Sequence, residues 1–144
     1  MSDFYPVWVG TQRFMIATDS VSSIERIRNV GSTTTALHTR WGRTPLCHVH
    51  SWINTNEPRQ ELPYHFALVV ATRTGWVGVV VDRIDDVIRH PNAIMPLPNI
   101  VYDSLFDPTI VGVLMLDDVP CLVLDLEAFV LIHLPAEQAA GLFA

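Results

Sequence analysis

Two apolar runs joined by a turn limit what this chain can fold into more than any other feature. Phe66-Ala67-Leu68-Val69-Val70-Ala71 leads through Arg73-Thr74-Gly75 into Trp76-Val77-Gly78-Val79-Val80-Val81. Both runs are short, rich in β-branched residues and bounded by turn chemistry, so they predict a β-hairpin. Neither alternates between apolar and polar residues, which is the pattern of strands covered on both faces. Such strands need apolar side chains from two directions, and the composition supplies them. Of 144 residues, 49% are hydrophobic and only 17% are charged, against about 25% charged in a typical domain. A chain of this length is one domain and buries roughly two-thirds of its extended surface without a disulfide or metal.

Most of the remaining chain also reads as short strands. Tyr5–Val9 and Arg13–Ala17 flank Gly10-Thr11-Gln12, a tight turn whose glycine supplies a positive φ. Thr18-Asp19-Ser20 offers N-cap side chains ahead of the i, i+3 pair Val21 and Ile24, which predicts one or two helical turns before Ile27 resumes a strand. Gly31–Thr35 is a loop. Ala36–Val49 alternates imperfectly around the turn residues Trp41–Pro45, and Asn54–Glu61 is the most polar stretch and the best internal boundary. The spacing Val81, Ile84, Val87, Ile88 also suits a helix face, but its length and the Pro91 stop favour a strand or bulged strand. Asn92–Pro108 reads as an ordered loop. Ile110–Leu116 and Val119–Leu124 form a hairpin with Asp117-Asp118 at its turn. Asp125–Leu131 reads as a short helix with an acidic first turn, and Pro135–Ala140 as the start of a last one. Nine or ten short strands with three short helices indicate a mainly β sandwich or barrels.

Several function classes are excluded by charge and motif. Residues 1–72 hold six Arg and five acidic residues, net +1; residues 73–144 hold three Arg and ten acidic residues, net −7; Lys is absent. A chain of net charge −6 with no basic cluster lacks the footprint of a nucleic-acid binder. The longest apolar run, Gly75–Val81, is far shorter than the ~20 residues of a membrane span. No charged leader precedes an apolar stretch at the N-terminus, so a cytoplasmic location is expected. Cys47 and Cys121 lack CxxC spacing and read as buried small hydrophobes. No GxSxG, P-loop or GxGxxG occurs, so neither catalysis nor a cofactor is expected.

Two groups of polar residues remain. His48 and His50 share one face if residues 46–50 are a strand, and with His38 or His65 they offer a metal or ligand site in a small β-barrel. Asp82, Asp85 and Asp86 are either a cation or acid–base group or, more simply, solvated charges.

The order of motifs along nearly the whole chain, from about Tyr5 to Leu131, resembles the CheW-like chemotaxis coupling family. Trp8–Ile16 followed by Val21-Ser22-Ser23-Ile24 is similar to its opening hairpin and "V-x-x-I" turn. His38-Thr39-Arg40-Trp41 stands where the family has "N-L-R-G", and Pro45-Leu46-Cys47-His48-Val49 where it has "P-V-V-D-L". Gly78–Val87 resembles "G-x-x-V-D-x-V-x-x-V", and Leu122–Glu127 resembles "L-L-D-L-E". The segment Ile24–Arg40 is shorter than in the family, Trp41 replaces Gly, and His48 replaces Asp.

The resemblance implies one CheW-like domain over 1–144, built as two five-stranded β-barrels over a shared apolar core. The first barrel is expected mostly from residues 13–60 and the second mostly from 61–130, joined by the N-terminal strand. It implies a non-enzymatic adaptor without cofactor. The partners would be the cytoplasmic tip of a chemoreceptor and the regulatory domain of a chemosensory histidine kinase, with an apolar groove for receptor helices. Carried over by position, Arg40, Val21, Ile24, Phe66 and Ile84 are the partner-binding candidates; the four apolar residues read equally well as ordinary core. An Arg at position 40 also needs a carboxylate or a stacking partner. A third reading is self-association through exposed β edges.

Overall fold

A computed structural model describes residues 2–28, 30–31, 33–53, 61–73, 75–90, 94–95 and 109–133. The polar boundary from Asn54 to Gln60, most of the Pro-rich loop and Pro135–Ala140 lie outside these residues.

Eleven strands are described: β1 (Ser2–Val9), β2 (Gln12–Ala17), β3 (Ser23–Ile27), β4 (Ala36–Thr39), β5 (Gly42–His48), β6 (His65–Thr72), β7 (Gly75–Val81), β8 (Arg83–Ile84), β9 (Ile88–His90), β10 (Ile110–Leu116) and β11 (Val119–Leu124). Two short helices accompany them, α1 (Val49–Ile53) and α2 (Leu126–His133). The strands form two sheets. One runs β10-β11-β2-β1-β8, with β9 also paired to β1; the other runs β3-β6-β7-β5-β4. The pairs β11 with β2 and β5 with β7 are parallel, and the rest are antiparallel.

The predicted hairpins form, with turns set by residue chemistry. Gly10, at φ 60°, occupies the first central position between the paired Val9 and Gln12. Asp117 and Asp118 have φ of 50° and 63° between Leu116 and Val119; positive φ at both central positions is what a type I′ turn requires, and Asp tolerates it better than most residues.

Period-2 alternation sorts the apolar side chains into three layers. Val7, Val9, Phe14, Ile16 and Leu124 of the first sheet meet Leu68, Val70, Val77, Val79 and Val81 of the second in a shared core, with Leu126, Phe129 and Val130 of α2 against it. The far face of the first sheet carries a second cluster, Phe4, Met15, Leu114, Cys121 and Val123. The far face of the second sheet carries a third, Ile27, Leu46, Ala67 and Val80. Both faces of β6 and β7 are thus covered, as their continuous apolar runs require. Gly78 makes the third layer possible: a Cβ there would lie 2.9 Å from Leu46 Cδ2 and 3.3 Å from Ala67 Cβ.

The β4–β5 turn of the second sheet reaches over to its opposite edge strand. The two-residue turn between β4 and β5 brings Trp41 across to β3, where Trp41 Nε1 donates to Ser23 Oγ at 2.9 Å and the indole stacks on Trp76 at 3.9 Å.

Three local expectations are corrected. Thr18–Ser20 is a 3-10 turn without a side-chain cap, and no helix follows it; Ser22 N–H donates to Val69 C=O at 2.8 Å, so pairing with β6 captures this β-branched segment as strand. The segment from Val81 is not one strand but β8 and β9, because the chain changes sheets there: Asp82 N–H donates to Trp8 C=O and Asp85 N–H to Pro6 C=O, both at 2.9 Å. The division at residue 60 is also different. β2 belongs with β1 and β11, while β6 and β7 complete the sheet begun by β3, β4 and β5. Local pattern cannot foresee this, because each half of the chain contributes strands to both sheets.

The crossing is secured by one buried carboxylate. Asp82 is 4% exposed; its Oδ2 accepts from Gly10 N–H at 2.7 Å, and its Oδ1 lies 3.4 Å from Nε2 of the equally buried His65. Removing it leaves a part-buried N–H and a buried imidazole without this acceptor. Asp82→Ala should therefore lower unfolding free energy by about 3 kcal/mol in chemical denaturation; a loss below about 1 kcal/mol would show that the crossing does not depend on it.

Candidate partner-binding site

The four apolar candidates all pack against the shared core from edge or near-edge segments. β3 is an edge of the second sheet and β8 an edge of the first. Ile24 on β3 pairs with Leu68, Phe66 on β6 pairs with Arg26 and Val81, and Ile84 on β8 pairs with Val7. Val21 lies in extended chain just before β3. All four are half-buried and pack on the shared core from its margin. They form a rim where that core reaches the surface between the sheets. Side chains with buried bases and exposed tips can cover a further apolar surface without rearrangement.

Arg40 does not join this rim. Its Nε lies 2.7 Å from Glu25 Oε1, and Glu25 alternates with Ile24 along β3, so the ion pair occupies the opposite side of that strand. The carboxylate that an Arg at this position needs is therefore Glu25. The guanidinium side chain is 64% exposed, and an ion pair so open to solvent contributes between zero and about 1 kcal/mol.

The histidine pair is not a shared face. β5 ends at His48, and His50 lies in α1, so period-2 alternation does not relate them. His48 Nε2 is 2.7 Å from Thr34 C=O, and His65 faces Asp82. His38 is exposed on β4. Among the described residues, no group of three His, Cys, Asp or Glu side chains is placed to hold a metal ion. The Asp group is likewise divided: Asp82 is buried at the sheet crossing, Asp85 accepts from Trp8 Nε1 at 2.8 Å, and Asp86 is exposed. The reading of solvated charges holds for Asp85 and Asp86, which are exposed, and fails for Asp82.

Two arrangements were not anticipated from sequence. Trp8 lies between Arg13 and Arg83, whose guanidinium carbons are 5.4 and 5.1 Å from its ring centroid. Arg26 lies 4.9 Å over the Tyr64 ring, which meets Phe66 edge-on at 5.5 Å. Period 2 alone links Tyr64 to Phe66 and Arg26 to Ile24, but only the β3–β6 register brings the two pairs together. Both cysteines are free and buried. Burial pushes the Cys47 thiol up from 9.0 to about 12.

A model of the CheW-like domain matches residues 6–131, and the chain belongs to that family of scaffold and adaptor domains in chemotaxis signalling. In structure it is similar to the scaffolding protein TtCheW from Thermoanaerobacter tengcongensis, with a TM-score of 0.68 over 89% of this chain and 86% of that one. The two are 15% identical, so this likeness is one of fold. No curated protein matches the chain by sequence.

Two expected outcomes follow from these contacts. Arg40→Ala should change unfolding free energy by less than about 1 kcal/mol, whereas Trp41→Ala, which removes both the stack and the bond to Ser23, should cost about 2–3 kcal/mol; equal losses would contradict the division of roles. Cys47 should resist iodoacetamide at pH 8 in the native state and react after unfolding, as read by mass spectrometry. Because folding raises its pKa, its contribution to stability is present below pH 9.0 and is lost as the pH rises from there toward 12; rapid native labelling would refute the burial argument.

Proposed function

We propose that this protein is a non-enzymatic adaptor in the cytoplasm that joins the tip of a chemoreceptor helix bundle to the regulatory domain of a chemosensory histidine kinase. The observation that carries this reading is the family match over residues 6–131 on a fold whose shared core surfaces as a half-buried apolar rim. Such a rim suits the apolar stripe of a receptor helix. No helix among the described residues is long and apolar enough to cross a membrane, in keeping with a protein that is brought to the receptor by binding.

An adaptor acts by effective concentration. Binding receptor and kinase at once turns their encounter into an intramolecular event and fixes their relative orientation, with no chemical step. Val21, Ile24, Phe66 and Ile84 supply the receptor contact in this proposal. Arg40, on the other side of β3, supplies an exposed charge that a partner reaches by displacing Glu25.

Analytical ultracentrifugation of the full chain with a chemoreceptor-tip fragment and the kinase regulatory domain tests the proposal. Both should bind, and together they should form a ternary species. Ile24→Ser should weaken receptor binding about tenfold, as expected for an anchor within a packed patch. Arg40→Ala should weaken partner binding while leaving the melting temperature within a few degrees. Absence of binding to either partner at high micromolar concentration by folded protein would sink the adaptor reading.

A further inference from the structure

The apolar rim has a cationic wall that its four candidate residues do not explain. Arg26 follows Ile24 by two residues along β3 and so projects to the same face, directly opposite Phe66 in the β3–β6 register. Its guanidinium carbon lies 4.9 Å from the centroid of the Tyr64 ring. Tyr64 in turn meets Phe66 at 5.5 Å with an interplanar angle of 89°. Arg26, Tyr64 and Phe66 therefore form a ladder from an exposed charge to the half-buried rim.

The exposed Arg26 differs from its neighbours in how its charge is balanced. Arg40 is paired with Glu25 and Arg89 with Asp3, but Arg26 has no carboxylate within ion-pair distance among the described residues. Stacking on an aromatic face orients the guanidinium plane without consuming its in-plane N–H donors. The result is an apolar strip with a guanidinium beside it, and a guanidinium fork is complementary to a carboxylate.

We propose that Arg26, held by Tyr64, determines specificity at the rim, and that the segment docking over Ile24 and Phe66 is an amphipathic helix carrying a carboxylate beside its apolar stripe. The inference rests on the adaptor reading and adds a charge requirement to it. A helix with basic residues along that margin meets repulsion as well as a lost bond, so the same contact selects against wrong partners.

Calorimetric titration of the full chain with a chemoreceptor-tip fragment, at low and high salt, tests this. Wild type should bind. Arg26→Gln should bind about tenfold more weakly with a shallower salt dependence, and Arg26→Lys should fall between, because an ammonium keeps the charge without the fork. Arg26→Glu should lose binding and regain it with a fragment whose contacting acid is changed to Arg. Circular dichroism and melting curves unchanged from wild type show that each variant is folded. Wild-type affinity in Arg26→Gln, or no rescue by the charge swap, overturns the inference and leaves the adaptor reading standing. Failure of the wild-type chain to bind the fragment overturns both.

Discussion

The fold depends on how the chain passes from one sheet to the other, and a single carboxylate governs that passage. At Asp82 the chain leaves β7 and enters β8, and the side chain that would otherwise be a buried liability accepts from Gly10 N–H and faces His65. Gly10 belongs to the β1–β2 turn and His65 begins β6, so one residue joins its own segment to two others that are distant in sequence. An unpaired charge in this place would be costly, and a satisfied one specifies a unique arrangement. That requirement gives the "V-D" of Gly78–Val87 a physical content: the valine fills the shared core and the aspartate ties the sheets together.

Once the crossing is fixed, the apolar composition follows. Two sheets stacked face to face would need one apolar layer, but here the far faces also carry apolar clusters, giving three layers in a chain of 144 residues. Small side chains are needed where the layers are thinnest, as at Gly78 and Ala67. The shared core is the largest of the three, and it ends at the edge strands β3 and β8 rather than at a closed sheet. A half-buried apolar margin at those edges follows from the architecture.

What was legible in the sequence follows from the range of the forces involved. The β1–β2, β6–β7 and β10–β11 hairpins and the start of α2 were readable because strand pattern, turn residues and an acidic first turn act within a few residues; the structure adds that Asp125 precedes the helix, its Oδ1 accepting from Ala128 N–H at 3.1 Å. Val21–Ile24 was misread as helical because its spacing carries no record of the β6 edge that captures it. His48 and His50 were assigned one face because nothing in Val49–Ile53 announces a helix turn. The sheet membership of β2, β6 and β7 was hidden for the same reason as the role of Asp82: both are set by contacts between residues 32 to 108 positions apart. At the proposed site, Val21, Ile24, Phe66 and Ile84 are named through family position, while the contact of Arg26 with Tyr64 is invisible in the sequence because only the β3–β6 register joins them.

The absence of Lys has a reading in these contacts. Five arginines are stacked or paired: Arg13 and Arg83 flank Trp8, Arg26 covers Tyr64, Arg40 meets Glu25, and Arg89 meets Asp3. Three of the five place the guanidinium over an aromatic ring, a contact that a strongly hydrated ammonium makes less readily. A stacked Arg loses less freedom when it binds than a freely rotating Lys, since its plane is already set. On an acidic chain with few cations, this concentrates positive charge at fixed points instead of spreading it over mobile side chains. On the proposed docking of an acidic amphipathic helix, a partner would be selected by where its carboxylates fall relative to its apolar stripe, and the small number of basic residues would serve discrimination.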